Sequence, residues 1–343
     1  MQLSVQNNDQ AIAAIPHLLG FEPRESVVVV PIEGRNPPLA RIDLPATPEE
    51  AGDVITTLAE TYGSTQWGRV RTLVVCFSDN PPATERFSRE LQAGLEAQRV
   101  GVVRRLAAGE TDWIDFTTGT RGARTPEAKT LFNAEAAFAG RPTPVASREE
   151  LAAGFRGDTD LIAEALQPSR SCRDESTREL ERSYCRAVVE QYHHDHDRLE
   201  LGDAARLLVN LEIDPELFIR FAGAIRTSNA SEWLPLWRDL TAHAPDEVRA
   251  EPACLAALAA WCAGDGASAW SALDRIPAVT SEAIAPVARL LAESLRTATH
   301  PKTWDTICEQ VLTAAGNPES ISSGKSRSAV SPGRDRGAPG VAI

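Results

Sequence analysis

Carboxylates, a guanidinium and side-chain hydroxyls fall in three short stretches of this 343-residue chain: Arg24, Glu25 and Ser26; Asp43; and Ser78, Asp79 and Asn80. Gathered at one place, they could hold a divalent cation or a phosphate, or do acid and base work. Each also has an ordinary use. Arg41 and Asp43 project to one face of a strand and can simply pair, Asp79-Asn80 can cap a turn, and Glu25-Ser26 can cap the start of a strand. The fold decides, by bringing the three stretches to one edge or keeping them apart.

Other strings are weaker. His193-His-Asp-His-Asp197 puts His193 and Asp197 at i,i+4, a spacing that can bind metal on a helix, but Glu190, Arg198 and Glu200 nearby favour a solvated face. His17, beside Leu18 and Leu19, reads as a hydrogen-bonded packing residue rather than a base. Trp233 and Trp237, one helical turn apart, read as core rather than as a partner-binding ridge. No G-x-G-x-x-G, G-x-x-x-x-G-K-[ST] or G-x-S-x-G string is present, so no cofactor, metal or catalytic residue is assigned.

The elements that must position these residues start from Ser26-Val-Val-Val-Val-Pro-Ile32, whose four consecutive valines predict a strand buried on both faces. A short apolar helix, Ala11 to Gly20, precedes it. Leu39 to Leu44 alternates apolar with polar and predicts a second strand, paired with the first as a hairpin. Thr47-Pro-Glu-Glu50 opens a helix reaching about Tyr62, and Arg69 to Phe77 is the third strand, parallel to the second but not necessarily beside it. That arrangement brings Asp43 near Arg24, Glu25 and Ser26, and opens the loop Ser78-Asp79-Asn80 on the same edge, where open α/β sheets bind ligands.

A helix follows from Thr84 to Gln98. Val100-Gly-Val-Val103 begins a fourth strand, which Leu106 to Asp112 turns back into a fifth, Trp113-Ile-Asp-Phe116. Two short helices run from Pro126 to Ala139 and from Ser147 to Phe155, the second with a Ser147/Glu150 capping box. Beyond Pro168 only amphipathic helical segments remain, beginning with Ser171 to Glu200 and ending with Pro301 to Ala314. Ala256 to Ile276 resembles a tetratricopeptide hairpin, but no second copy recurs at a fixed period, which favours a compact bundle over a solenoid.

Ile15-Pro-His-Leu-Leu-Gly-Phe-Glu-Pro-Arg-Glu-Ser-Val-Val-Val-Val30, followed by Ala40-Arg-Ile-Asp-Leu-Pro45, resembles the opening signature of domain-of-unknown-function family four-one-nine-two, of high-GC, actinobacterial type. Ala134-Glu-Ala-Ala-Phe-Ala-Gly-Arg141 with Ser147-Arg-Glu-Glu-Leu151 is similar to that family's middle motif. Ala260-Trp-Cys-Ala-Gly-Asp-Gly266 through Ala272-Leu-Asp-Arg275 is similar to its C-terminal one. Members often carry cysteines in the loop after the fifth strand, whereas Phe116 to Gly122 has none. The resemblance implies no catalytic residues.

Composition narrows the classes. Net charge is -13 and mean hydropathy -0.23. Residues 1–156 carry 16 basic and 20 acidic side chains, and residues 157–318 carry 15 and 26. The acidic second half repels a phosphate backbone, so nucleic acid is not an expected partner, whereas a protein partner for the helical half is. No membrane span and no signal peptide are visible, and six cysteines without a C-x-x-C pair read as reduced packing residues, which together predict a cytoplasmic protein.

The sequence therefore predicts an α/β domain over residues 1–168, a mixed sheet with flanking helices, then an all-α helical-bundle domain over 169–318 and a disordered tail over 319–343. The expected function is that of a binding or scaffold protein. The alternative is a metal-assisted phosphate or nucleotide hydrolase using the carboxylates Asp43 and Asp79.

Overall fold

Four consecutive valines need apolar cover above and below, and the chain supplies it with a sheet sandwiched between helices. A computed structural model describes residues 6–35, 37–138, 143–278 and 284–316, and side chains as far as residue 310. The tail expected over 319–343 lies outside the described residues. Six strands, β1 (Ser26–Glu33), β2 (Ala40–Asp43), β3 (Arg71–Phe77), β4 (Gly101–Ala108), β5 (Asp112–Asp115) and β6 (Arg121–Ala123), form one mixed sheet in the order β2-β1-β3-β4-β5-β6. β1 is antiparallel to both neighbours, so β2 and β3 are parallel with β1 between them, while β3 and β4 are a directly bonded parallel pair.

The valines alternate between two cores. Val27 and Val29 face α2 (Pro48–Gly63) and α3 (Pro81–Ala97) through Leu58, Leu91 and Leu95. Val28 faces the other way, with Val75 and Leu106, against Ile12 and Ile15 of α1 (Asn8–Leu19). Asn7 caps α1 by accepting from the Gln10 amide at 2.9 Å, and Gly20 ends it at φ 80°, a conformation that suits glycine. α4 (Pro126–Phe138) packs on α1 from outside.

Two strands differ from the sequence expectation. β4 continues through Leu106, Ala107 and Ala108, which pair with Val75, Cys76 and Phe77, so the turn into β5 is confined to residues 109–111. Burial against β3 extends the strand where the Ala-Ala pair suggested a turn. β6 was not expected because Arg121-Gly-Ala123 has no alternation, and pairing with β5 defines it.

The second half is helical: α5 (Arg148–Ala153), α6 (Asp160–Asp174), α7 (Arg178–Asp195), α8 (Leu201–Ile213), α9 (Pro215–Ala224), α10 (Ala230–His243), α11 (Ala250–Cys262), α12 (Gly266–Leu273), α13 (Ile284–Arg296) and α14 (Lys302–Gly316). α11 is its axis, buried along its whole length, and its many alanines let α10 and α12 approach closely. The segment expected as one helix from Ser171 to Glu200 is two, because α6 ends at Asp174 and Thr177 caps α7 by accepting from the Leu180 amide. Pro168 lies inside α6, and Phe155, Ile162 and Leu166 pack in the helical core. Trp237 is fully buried there, stacked on Trp233 with ring centroids 6.1 Å apart. Among the described residues no helix is long and apolar enough to cross a membrane.

A buried ionic network locks α7 to α8. Glu181, 1% exposed, accepts from Arg206 at 3.0 and 2.6 Å and from the Asn210 amide at 2.8 Å. The Arg206 hydrogen bonds outweigh burial and hold its carboxyl down to about 2, against an ordinary 4.5. Such a group stabilises the fold fully above its unfolded pKa, and that stabilisation is lost as pH falls from about 4.5 toward 2; it amounts to about 3 kcal/mol. Denaturant unfolding at pH 7 should find Glu181→Gln weaker by about 2–3 kcal/mol, with the gap narrowing markedly at pH 2.5. A gap that stays constant across that range would contradict the assignment.

Candidate ligand-binding cleft

The register places Asp43, Ser26, Phe77, Ala108 and Trp113 in one row across the end of the sheet. Phe77 and Ala108, the last residues of the parallel strands β3 and β4, line the floor of a cleft of about 720 Å³. One wall is the segment from Glu22 to Glu25 with the face of α1 that carries Asp9, Ala13, Pro16 and His17. Another is the first half of α4. The loops 78–79 and 109–110, which follow β3 and β4, complete the mouth.

Four of the seven residues singled out from sequence line this cleft: Arg24, Glu25, Ser78 and Asp79. Glu25 has φ +38°, in the left-handed region that a non-glycine residue enters at a cost of about 1–3 kcal/mol. Its carboxylate accepts from the Ser78 hydroxyl at 3.0 Å, and the Ser78 amide donates to Ala108 O at 3.1 Å, tying the start of β1 to the ends of β3 and β4. Asp79 Oδ1 accepts from the Glu110 amide at 2.9 Å and so joins the two mouth loops.

The other three lie elsewhere. Asp43 is exposed and paired with Arg41 at 2.7 Å, outside the cleft. Asn80 caps α3, accepting from the Ala83 amide at 3.3 Å. Ser26 is fully buried, and its hydroxyl has no hydrogen-bond partner among the described residues. Asp43 and Asn80 thus have the ordinary uses their types allow.

α1 and α4 contribute residues that sequence reasoning did not place at the edge: His17, Lys129 and Asn133, with Arg124 just before α4. Nothing in their spacing links residue 17 to residue 133, and only the packing of α1 on α4 joins them. Lys129 pairs with Glu22 at 2.6 Å, and Arg124 reaches Glu22 at 4.0 Å while donating to Gly109 O at 2.9 Å. His17 does pack, 6.2 Å from the Phe132 ring, yet it also faces the cleft. Burial lowers its pKa, opposed by the Glu22 carboxylate, so the ring is neutral at pH 7. The cleft therefore offers carboxylate acceptors, guanidinium donors and a neutral imidazole around an apolar floor, a lining suited to holding a polar molecule.

The His193 string is not a helical pair. α7 ends at Asp195, and His196 caps it at φ 58°, which takes Asp197 off the helix. The His193 ring instead packs 4.5 Å from Trp233. Among the described residues no group of three or more His, Cys, Asp or Glu side chains is placed to hold a metal ion.

Gly109 tests the mouth. A Cβ there would fall 2.7 Å from Asp79 Oδ1 and 3.0 Å from Asp112 Oδ1. Gly109→Ala should displace the Asp79 carboxylate and cost about 1–2 kcal/mol in denaturant unfolding. In the Asp79→Ala background the same change should cost about 1 kcal/mol less, whereas strictly additive costs would refute the contact.

A family model, Domain of unknown function (DUF4192), matches residues 9–302. No curated protein and no solved structure matches the chain. The family match covers most of the sequence, including the whole sheet, the cleft and most of the helical half, and the chain belongs to the DUF4192 family.

Proposed function

We propose that this is a binding protein that holds a small polar molecule in the cleft at the ends of β3 and β4. The observation that carries this reading is Glu25. It combines a left-handed backbone, a place in the cleft lining and a carboxylate that accepts a hydrogen bond from Ser78. A residue held in so sparse a conformation where a concave site opens is a common mark of function rather than of stability. Location supports the same reading, because the carboxyl ends of parallel strands are where open α/β sheets receive ligands.

In this reading the α/β half carries the site, and the acidic helical half is a support that can also present a protein-binding surface. A hydrolase built on Asp43 and Asp79 draws less support, since Asp43 is engaged with Arg41 outside the cleft.

Glu25→Gly separates strain from function. Glycine adopts φ +38° without a Cβ clash, so the variant should be as stable as wild type or more stable by up to about 1 kcal/mol. Thermal unfolding against nucleotides, sugar phosphates, amino acids and divalent metals should show a stabilising shift with one class. A ligand at a hundred times its Kd adds about 2.7 kcal/mol. That shift should vanish in Glu25→Gly and in Asp79→Ala and persist in Asp43→Ala. A shift that survives in Glu25→Gly, or none with any class, would remove the basis for the proposal.

A further inference from the structure

Among the described residues eight Asp, Glu, Lys and Arg side chains line the cleft, and the protein itself engages six of them. Glu22 pairs with Lys129 at 2.6 Å and reaches Arg124 at 4.0 Å. Asp9 accepts from the Thr125 amide, Glu25 from the Ser78 hydroxyl and Asp79 from the Glu110 amide. The remaining two are Arg24 and Glu110. They are exposed and of opposite sign, and neither side chain makes a hydrogen bond or ion pair among the described residues.

The backbone that carries them is nevertheless held. Arg24 O accepts from the Arg41 guanidinium at 3.4 Å, the Glu22 amide donates to Val145 O at 2.9 Å, and the Leu44 amide donates to Glu25 O at 2.9 Å. On the other side of the mouth the Glu110 amide is bonded to Asp79, and Arg124 donates to Gly109 O. A lone charge on open surface is ordinary, because water solvates it. Two opposite charges on anchored segments of one cleft, beside six that are satisfied, form a complement ready for a charged partner from outside.

Charge balance narrows that partner. The lining carries five carboxylates against three cations, so a phosphate ester with its charge of about −2 meets repulsion. A simple cation leaves Arg24 unanswered, and a simple anion leaves Glu110 so. A molecule with one ammonium and one carboxylate answers both, since the guanidinium fork matches a carboxylate and the Glu110 carboxylate accepts from an ammonium N–H. A cleft of about 720 Å³ has room for such a molecule.

We infer that the cleft takes a zwitterion, an amino acid or short peptide whose carboxylate is held by Arg24 and whose ammonium is held by Glu110. This inference rests on the cleft being a binding site and adds the chemistry of what it binds.

The test is calorimetric titration and thermal unfolding of the full chain with two sets of probes. One set is alanine, leucine and glutamine, and the other is the dipeptide of each with glycine, in which the two charges stand further apart. Every probe is compared with its N-acetyl derivative, which lacks the cation, and its C-terminal amide, which lacks the anion. At least one probe should bind wild type, with each derivative weaker by about tenfold or more, and the set that binds gives the source of the zwitterion. Arg24→Gln should weaken the parent probe by a similar factor and leave its amide unaffected. Glu110→Gln should weaken the parent and leave its N-acetyl derivative unaffected. Both variants should melt with wild type, because the side chains they change have no partner to lose.

Derivatives that bind wild type as tightly as their parents would overturn the inference without recourse to any variant. So would parent binding that is unchanged in Arg24→Gln or in Glu110→Gln. Binding by none of these probes overturns it too, and the cleft reading then stands if another ligand class gives a shift sensitive to Glu25→Gly. If no class does, both fail.

Discussion

Burial of β1 on both faces is the constraint on which the α/β half depends. Val27, Val28 and Val29 have no exposed surface, and burying each such side chain is worth about 1.5–3 kcal/mol, so neither face can be left to water. One face takes α2 and α3, and the other takes α1. Covering the sheet with α1, the helix that immediately precedes β1, forces residues 20–25 to reverse within a few positions. Gly20 at φ 80° and Glu25 at φ +38° are the two places where that reversal leaves ordinary backbone conformations. The reversal leaves Glu25 beside the cleft, with its carboxylate bonded to Ser78 where β3 ends.

The helical half has a different organising element. α11 is buried all round, so it carries no amphipathic stripe, and its neighbours wrap it at the short distances that alanine permits. Polar groups at its periphery are satisfied in pairs: Glu181 by Arg206 and Asn210, and Asp214 by Arg182 at 2.5 and 2.8 Å. Arg275 Nε donates to Phe155 O at 3.1 Å within the helical half, and the two halves meet where the Trp67 and His300 rings lie 6.5 Å apart.

The cleft lies at the end of the sheet and is built from side chains that are mostly engaged with one another. Glu25 is bonded to Ser78, Asp79 to the Glu110 amide, Glu22 to Lys129, and Asp9 to the Thr125 amide and hydroxyl. Such mutual support fixes donors and acceptors in place, the preorganisation on which the proposed binding role draws.

Local signals in the sequence determined the elements. The valine run, the Thr47 and Ser147 caps and the long amphipathic segments each depend on residues within a few positions, and they specified the sheet-then-helices order and the hairpin that brings Arg24 and Glu25 to the ends of the strands. Where a boundary depended on distant pairing, the sequence was silent: β4 runs on to Ala108 because β3 lies beside it, and β6 exists because β5 does. The same holds for the site. Asp43 and Asp79 have equivalent chemistry in the sequence, but register and the Arg41 ion pair keep the first out of the cleft while the loop after β3 turns the second into it. His17 and Asn133, 116 residues apart, become neighbours only because α4 packs on α1, a contact between helix faces that no local pattern encodes.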